Sequence, residues 1–383
     1  MQTLTSPEIP VYRRLPIQIV SGQGCYVSDS NGKSYLDLYG GHAVAALGYN
    51  HPQLTKSIAE QTQRLIIQSN AVDVPIREEA ITLLASLSPI PNTQIFMVNS
   101  GAEAVENALR LAFLHTKRPR IAALKGAFHG RSAAAAAITD YHDAWYAFPN
   151  KPFEVDWIDP NNPAELAEKI TEQTAAFIFE PIQGVAGAID ISAEFAQTAA
   201  QICKEQGALL IADEIQSGIG RSGTLFTAEQ LGITPDIITL AKSLGGGLPI
   251  SAVLAKAELC QVPIGTLGTT FGGGPVVCAA MKTVLETVSQ PDFLHQIREN
   301  SDYLIQNCLQ AGIKKITGRG YLLGLHLDQP ANPLRQTLLE KGFLTGDAKN
   351  PNVIRLLPPL ILTKSEIDTF AQALTETLKE HAQ

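Results

Sequence analysis

Short, almost unbroken apolar runs recur through the middle of the chain. They are QIFMV at 94–98, RIAAL at 120–124, AAFIF at 175–179, ALLIA at 208–212, DIITL at 236–240 and ISAVLA at 250–255. Helical spacing fills several of the gaps, from Ala102 to about His115 and from about Ala193 to Gln206. A strand covered on both faces needs apolar residues at every position, and a parallel pair needs a crossover helix between its members. The alternation therefore predicts a mainly parallel sheet with right-handed crossovers and helices on its faces, an α/β architecture.

The two ends of the chain read differently. The first 50 residues are short β pieces and turns, with Asp29-Ser30-Asn31-Gly32 as the bend of a hairpin. Leu54, Ile58, Ala80, Leu83, Leu84 and Leu87 then recur at helical spacing. Beyond Pro275 come helical stretches at about 276–288 and 292–310, the run RGYLLGLHLD, a short helix near 333–341, and NVIRLLP. Thr363-Lys364-Ser365-Glu366 is a capping box that opens the last helix. The expected division is an N-terminal segment, 1–50, that joins a smaller α+β domain at 276–383, with a large domain, 51–275, inserted between them.

Composition narrows the function classes. Of 383 residues, 45% are hydrophobic and 17% charged, which fits a packed globule and excludes long disorder. The net charge of -8 argues against a nucleic-acid partner. The 5 cysteines are spaced too widely for a zinc ribbon or a disulfide framework, so no metal is expected. The opening MQTLTSPEIPVYRRLP lacks the apolar core of a signal peptide, and glycines and prolines interrupt the charge-free stretch from Leu259 to Met281. A cytoplasmic protein without a membrane span is expected.

Three of the buried runs end in ionisable residues: Glu180, Asp213 and, after Ala241, Lys242. A glycine-bearing segment comes after each (Gln183-Gly184, Ser217-Gly218, Gly245-Gly246-Gly247), and ligands of open α/β sheets bind at the carboxyl ends of strands. A lysine of lowered pKa forms Schiff bases with carbonyls, and a carboxylate beside it can keep a pyridinium nitrogen protonated. Ser100-Gly101-Ala102, between a strand and a helix, offers amides to a phosphate. Taken singly, these residues have plainer readings: Phe128 as core, His129 as a solvated loop histidine, Arg131 and Arg355 as surface charges, Thr270 as a turn hydroxyl. A nucleotide-binding protein is the competing class, but the chain has neither G-x-x-x-x-G-K-[ST] nor a strand–GxGxxG–helix unit.

The segments NSGAEAVENALRLA, AFHGR, EPIQG, GALLIADEIQSGIGRSG, TPDIITLAKSLGGGLPI, TTFGGGP and NVIRLLPPL, in that order, resemble the fold-type I, class III aminotransferases. The nearest subgroup is that of the acetylornithine and succinylornithine aminotransferases. The resemblance runs from GGHAVAALGYNHP to the last strand and implies pyridoxal 5'-phosphate on a sheet of the seven-stranded type. It makes Lys242 the Schiff-base lysine and proton shuttle, and Asp213 the partner of the pyridinium nitrogen. Gln216 would donate to the phenolic oxygen, Ile215 and Phe128 would cover the ring faces, and Ser100, Gly101 and Ala102 would receive the phosphate. Thr270 would complete that cradle across a homodimer interface. Arg131 and Arg355 would bind substrate carboxylates, with Glu180 pairing with Arg355 when an ω-amine donor is bound.

Departures from the family pattern bear on the substrate. Ala45 and Gly274 stand where asparagine is common, Thr269 where serine is common, and His42 at a usually apolar place. Thr269 and His42 are expected near the substrate mouth. Gly41 falls where ornithine δ-aminotransferases carry tyrosine, which argues against free ornithine. The implied reaction moves the ω-amine of an N-acylated ornithine, N-acetylornithine favoured, to 2-oxoglutarate. N-succinylornithine, 4-aminobutyrate, lysine-derived donors and an aminomutase remain as alternatives.

Overall fold

A computed structural model describes residues 7–140 and 146–381, so the first residues of the N-terminal segment lie outside it. Strands β1 (Ile19–Gln23), β2 (Tyr26–Asp29) and β3 (Ser34–Asp37) form an antiparallel meander. The hairpin bend is held by Asp29, whose Oδ1 accepts the amides of Asn31 and Lys33, both at 2.9 Å. Helices Pro52–Arg64 and Pro75–Leu87 follow, each opening on a proline, where its missing N–H costs nothing.

The central sheet contains β4 (Thr93–Val98), β5 (Arg120–Leu124), β6 (Glu154–Ile158) and β7 (Thr174–Phe179). A small hairpin, β8 (Ile182–Gln183) with β9 (Ile189–Asp190), precedes its last members: β10 (Leu209–Asp213), β11 (Ile237–Leu240) and β12 (Ser251–Lys256). The order is β4-β12-β11-β10-β7-β5-β6. Every pair is parallel except the two made by β12, which runs against both β11 and β4. The reason is local. The β11–β12 link holds only the 3-10 turn Lys242–Gly245, too little chain for a crossover.

Residues of β7 and β10 are buried at every position, as their continuous apolar runs require. Phe177 and Phe179 are wholly enclosed, each contributing about 1.5–3 kcal/mol of burial. Helix Gly101–Thr116 covers one face through Ala104, Val105, Ala108, Leu109, Leu111 and Ala112, a stripe of mostly small residues that lets it lie close to the strands. Its start is a capping box between Ser100 and Glu103. Helix Ala193–Gln206 is capped by Ser192 and stopped by Gly207 at φ 67°.

The C-terminal part contains helices Pro275–Val288 and Pro291–Ala311, then an antiparallel sheet of β13 (Lys315–Arg319) and β14 (Leu322–His326). Helix Ala331–Glu340 leads to β15 (Phe343–Leu344), which pairs in parallel with β3, and β16 (Val353–Leu356) joins β14. Strands from the two ends of the chain thus share a sheet. Helix Lys364–His381 opens on the expected capping box, with the Thr363 amide donating to Glu366 at 2.7 Å. No helix among the described residues is long and apolar enough to cross a membrane.

Candidate active site

The parallel strands deliver their chemistry to one edge. Asp213 is the last residue of β10, Glu180 follows β7, and Lys242 follows β11 after Ala241. They open into a cavity of about 510 Å³, which Ser100, Gly101, Ala102, Phe128, Arg131, Ile215 and Gln216 also line. Ten of the sequence-selected residues therefore meet around one space. Thr269, Thr270 and Arg355 do not line it.

Lys242 sits at φ 42°, a left-handed conformation rare for a side chain with a Cβ, so the turn after β11 holds it under strain. Burial lowers its pKa below the usual lysine range, and the charge of Arg355 adds to this, while Asp213 and Glu180 oppose it. A lysine biased toward its neutral form is the state in which the amine is nucleophilic.

Asp213 is 3% exposed, yet its carboxylate is well supplied with donors. Oδ1 accepts the Ile215 amide at 3.1 Å and the Thr239 hydroxyl at 3.0 Å. Thr239 is its register partner on β11, so the sheet itself aims that bond. Oδ2 is 2.6 Å from Nδ1 of His129. A carboxylate only accepts, so Nδ1 carries the proton. His129 is thus not the solvated loop histidine of the sequence reading: it is buried at the back of the site, with Nε2 unpartnered. Nothing in AFHGR signals this, because it depends on the loop folding back onto Asp213.

Glu180 accepts the Phe128 amide on Oε1 at 2.9 Å and the Gly184 amide on Oε2 at 3.2 Å. Burial raises its pKa to about 7, with Asp213 adding to the effect and His129 and the two amides opposing it. Glu180 and Arg355 form no ion pair with each other in this structure, and the pairing expected with an ω-amine donor is a separate state. Arg355 instead donates to the Gly184 carbonyl at 3.1 Å, the Tyr39 hydroxyl at 3.0 Å and the Asp347 carbonyl. Glu180 and Arg355 thus grip opposite sides of Gly184, and their contact runs through one residue's backbone. Its missing side chain matters: a Cβ there would lie 1.6 Å from Oε1 of Gln216.

Fewer amides are free at the expected phosphate cradle than the sequence suggests. The capping carboxylate of Glu103 takes the amides of Asn99 and Ser100, at 2.6 and 3.3 Å, which leaves those of Gly101 and Ala102 at the mouth of the helix. Thr269 lies behind this loop. Its hydroxyl accepts from Asn99 at 3.2 Å and from the Gly272 amide at 3.1 Å, so it buttresses the cradle instead of facing the cavity. Thr270 is exposed on its own chain. His42 stands next to Tyr39, its Nδ1 2.7 Å from the hydroxyl.

Comparison with known proteins decides the family. The aminotransferase class-III family matches residues 10–378. The chain belongs to it. An acetylornithine aminotransferase of Listeria monocytogenes is 37% identical over 97% of this chain and 96% of its own length. The LysW-aminoadipate semialdehyde transaminase of Deinococcus radiodurans is 36% identical over 96% and 87%. The ornithine aminotransferase of Toxoplasma gondii superposes with a TM-score of 0.90 at 28% identity, covering 98% of this chain and 93% of that one. This class-III aminotransferase is a pyridoxal-phosphate enzyme.

The residues present suit that cofactor. A planar, anionic group needs two apolar walls, donors at one end and a carboxylate at the other. Ile215 and Phe128 supply walls, and Gly101 and Ala102 supply the free amides. Gly101 is pressed against Ile215, whose Cδ1 would be 2.9 Å from an added Cβ. Gln216 has its amide oxygen buried without a partner among the described residues. A buried amide left unsatisfied by the protein suits a polar ligand.

Proposed function

We propose that the enzyme transfers the ω-amine of an N-acylated ornithine, N-acetylornithine favoured, to 2-oxoglutarate, yielding the N-acyl glutamate semialdehyde and glutamate. The observation that carries this reading is the meeting of Lys242 and Asp213 in one buried cavity whose walls also present Arg131. The names of several relatives as acetylornithine aminotransferases support the choice of donor. The cytoplasm and arginine biosynthesis are the corresponding location and role.

In this reading Lys242 would hold the cofactor's aldehyde and Asp213 would partner the ring nitrogen. Gln216 would donate to the phenolic oxygen, and the Ser100 hydroxyl with the Gly101 and Ala102 amides would hold the phosphate, helped by Thr270 of a second subunit in a homodimer. When bound, pyridoxal phosphate supplies an electrophilic carbon and a ring that takes up electron density. Lys242 Nζ would accept the proton from the substrate carbon and return it. Its lowered pKa suits this exchange. Asp213, held in place by bonds from His129, the Ile215 amide and Thr239, would sit opposite the positive end of the ring.

Arg131 lies over the Phe128 ring, 6.0 Å from its centre, and offers a planar fork to a substrate carboxylate. Arg355 takes the α-carboxylate of 2-oxoglutarate or glutamate. The test is the visible spectrum of the purified enzyme, recorded with N-acetylornithine and then with N-succinylornithine. Bleaching by the acetyl compound at low concentration supports the proposal, and bleaching by neither donor refutes it.

A further inference from the structure

Next to Arg355 lies a turn of the wrong hand. Gly40, Gly41, His42 and Ala43 have φ of 54°, 57°, 66° and 66°, one turn of left-handed helix. It is closed by the Ala43 amide on the Tyr39 carbonyl at 3.0 Å and the Val44 amide on the Gly40 carbonyl at 2.8 Å. Asp37 fastens its start, with Oδ1 accepting the amides of Tyr39 and Gly40 at 2.8 and 2.9 Å. Glycine suits the first two positions. Histidine at the third is strained, and strain of this kind persists where a side chain has to be aimed.

The aim is toward Tyr39. The two rings lie 4.6 Å apart at 59°, with Nδ1 of His42 2.7 Å from the hydroxyl. Tyr39 is wedged on its other sides. Gly346 abuts its edge so closely that a Cβ would fall 2.1 Å from Cε2, and the Arg355 guanidinium lies over the ring at 5.6 Å. A guanidinium only donates, so the Tyr39 oxygen accepts from Arg355 and its one proton goes to His42 Nδ1. That requires a neutral imidazole. The imidazole keeps an exposed edge, but the protein packed against the rest of the ring and the positive charges of Arg355, Lys242 and Arg131 favour the neutral form, and Asp347 opposes it. Of the five N–H groups on Arg355, three are taken by Asp347, Gly184 and Tyr39. One N–H stays on each terminal nitrogen, the number that a carboxylate fork needs.

We propose that His42 is a positioning residue for recognition of the amino acceptor: by taking the Tyr39 proton it locks the ring under Arg355 and leaves the guanidinium with its carboxylate-binding pair free. The inference rests on the reading of Arg355 given above, and its test separates the two.

The holoenzyme and the variants H42G, H42N, Y39F, Y39F/H42G and R355A are assayed for kcat and KM with 2-oxoglutarate and with N-acetylornithine. Glycine keeps the left-handed turn without strain but removes the acceptor, whereas asparagine tolerates the turn and puts an oxygen near the place of Nδ1. The expected result is that H42G raises KM for 2-oxoglutarate roughly 5–20-fold, with kcat and the donor KM within about twofold. Y39F should do the same, the double variant should be no worse than Y39F, and H42N should recover most of the loss. R355A should raise the same KM about 100-fold.

If R355A acts and H42G does not, the role of His42 is wrong while that of Arg355 stands. If R355A has no effect, the reading of Arg355 fails and the inference with it. Equal loss of kcat in H42G and H42N, for both substrates, would make His42 merely structural and overturn the proposal.

Discussion

Glu180→Gln should change how the stability of the cofactor-free protein depends on pH. The carboxyl is buried, and burial raises its pKa from 4.5 to about 7. Between those values the folded chain holds a proton that the unfolded chain has lost, so stability falls as pH rises and levels off above the folded pKa. Integrating this difference gives a loss of about 2 kcal/mol between pH 5.5 and pH 8 from this one group. Glutamine keeps the shape and removes the titration. It also leaves one of the two amides, of Phe128 or Gly184, without its acceptor, a cost of about 1–3 kcal/mol that does not vary with pH.

Urea unfolding of the wild type and E180Q at several pH values isolates the effect, because titrating groups remote from Glu180 cancel. The gap between the two should shift by about 2 kcal/mol in favour of the variant from pH 5.5 to pH 8. Glu214 is an internal control. Burial raises it to about 7 as well, against two amide bonds at 2.6 and 2.8 Å, and it keeps titrating in E180Q. Parallel curves for wild type and variant would show that Glu180 is already ionised well below neutrality, and the electrostatic account of this wall of the site would be wrong.

Three further outcomes follow from the geometry. Asp213→Asn removes the carboxylate from His129 and Thr239, so single-turnover rates with N-acetylornithine should fall about 10²–10⁴-fold while pyridoxal phosphate still binds; a loss under tenfold would contradict the role of Asp213. Gly101→Ala drives a methyl group into Ile215 and should weaken pyridoxal phosphate roughly tenfold in a fluorescence titration, with unchanged affinity refuting the tight cradle. Arg221 is fully buried with Nε and one terminal nitrogen unpartnered, and burial lowers its pKa from 12.5 to about 9. That shift is worth about 5 kcal/mol against the charge, which its bonds to the carbonyls of Tyr321 and Pro358 roughly offset. Arg221→Met should therefore alter unfolding free energy by less than about 2 kcal/mol, and a loss above about 4 would contradict this balance.

The strands buried on both faces were legible because every one of their positions must be apolar. Strand β6 was not, since Glu154–Ile158 carries charge on an edge and only Ile158 is fully buried. The reversal of β12 was written in the short link after β11, a constraint of chain length and not of hydrophobic pattern. Strand-end acids and the lysine could be read as one site because parallel strands share an edge. The placement of His129 and Thr269 could not, because it depends on loops folding back toward Asp213 and Asn99. Likewise the gap between Glu180 and Arg355 arises from Gly184, whose backbone both of them claim. The left-handed turn at Gly40–Ala43 shows only its glycines in the sequence; Asp37 and Tyr39 complete it from outside the turn.

The covalent attachment of the cofactor is the point on which the chemistry turns. Purified enzyme saturated with pyridoxal phosphate should be reduced with borohydride, digested and mapped by mass spectrometry. A pyridoxyl group on the peptide containing Lys242, and on no other lysine in stoichiometric amount, is the expected result. Stoichiometric label on a different lysine, or none on Lys242, would contradict the account.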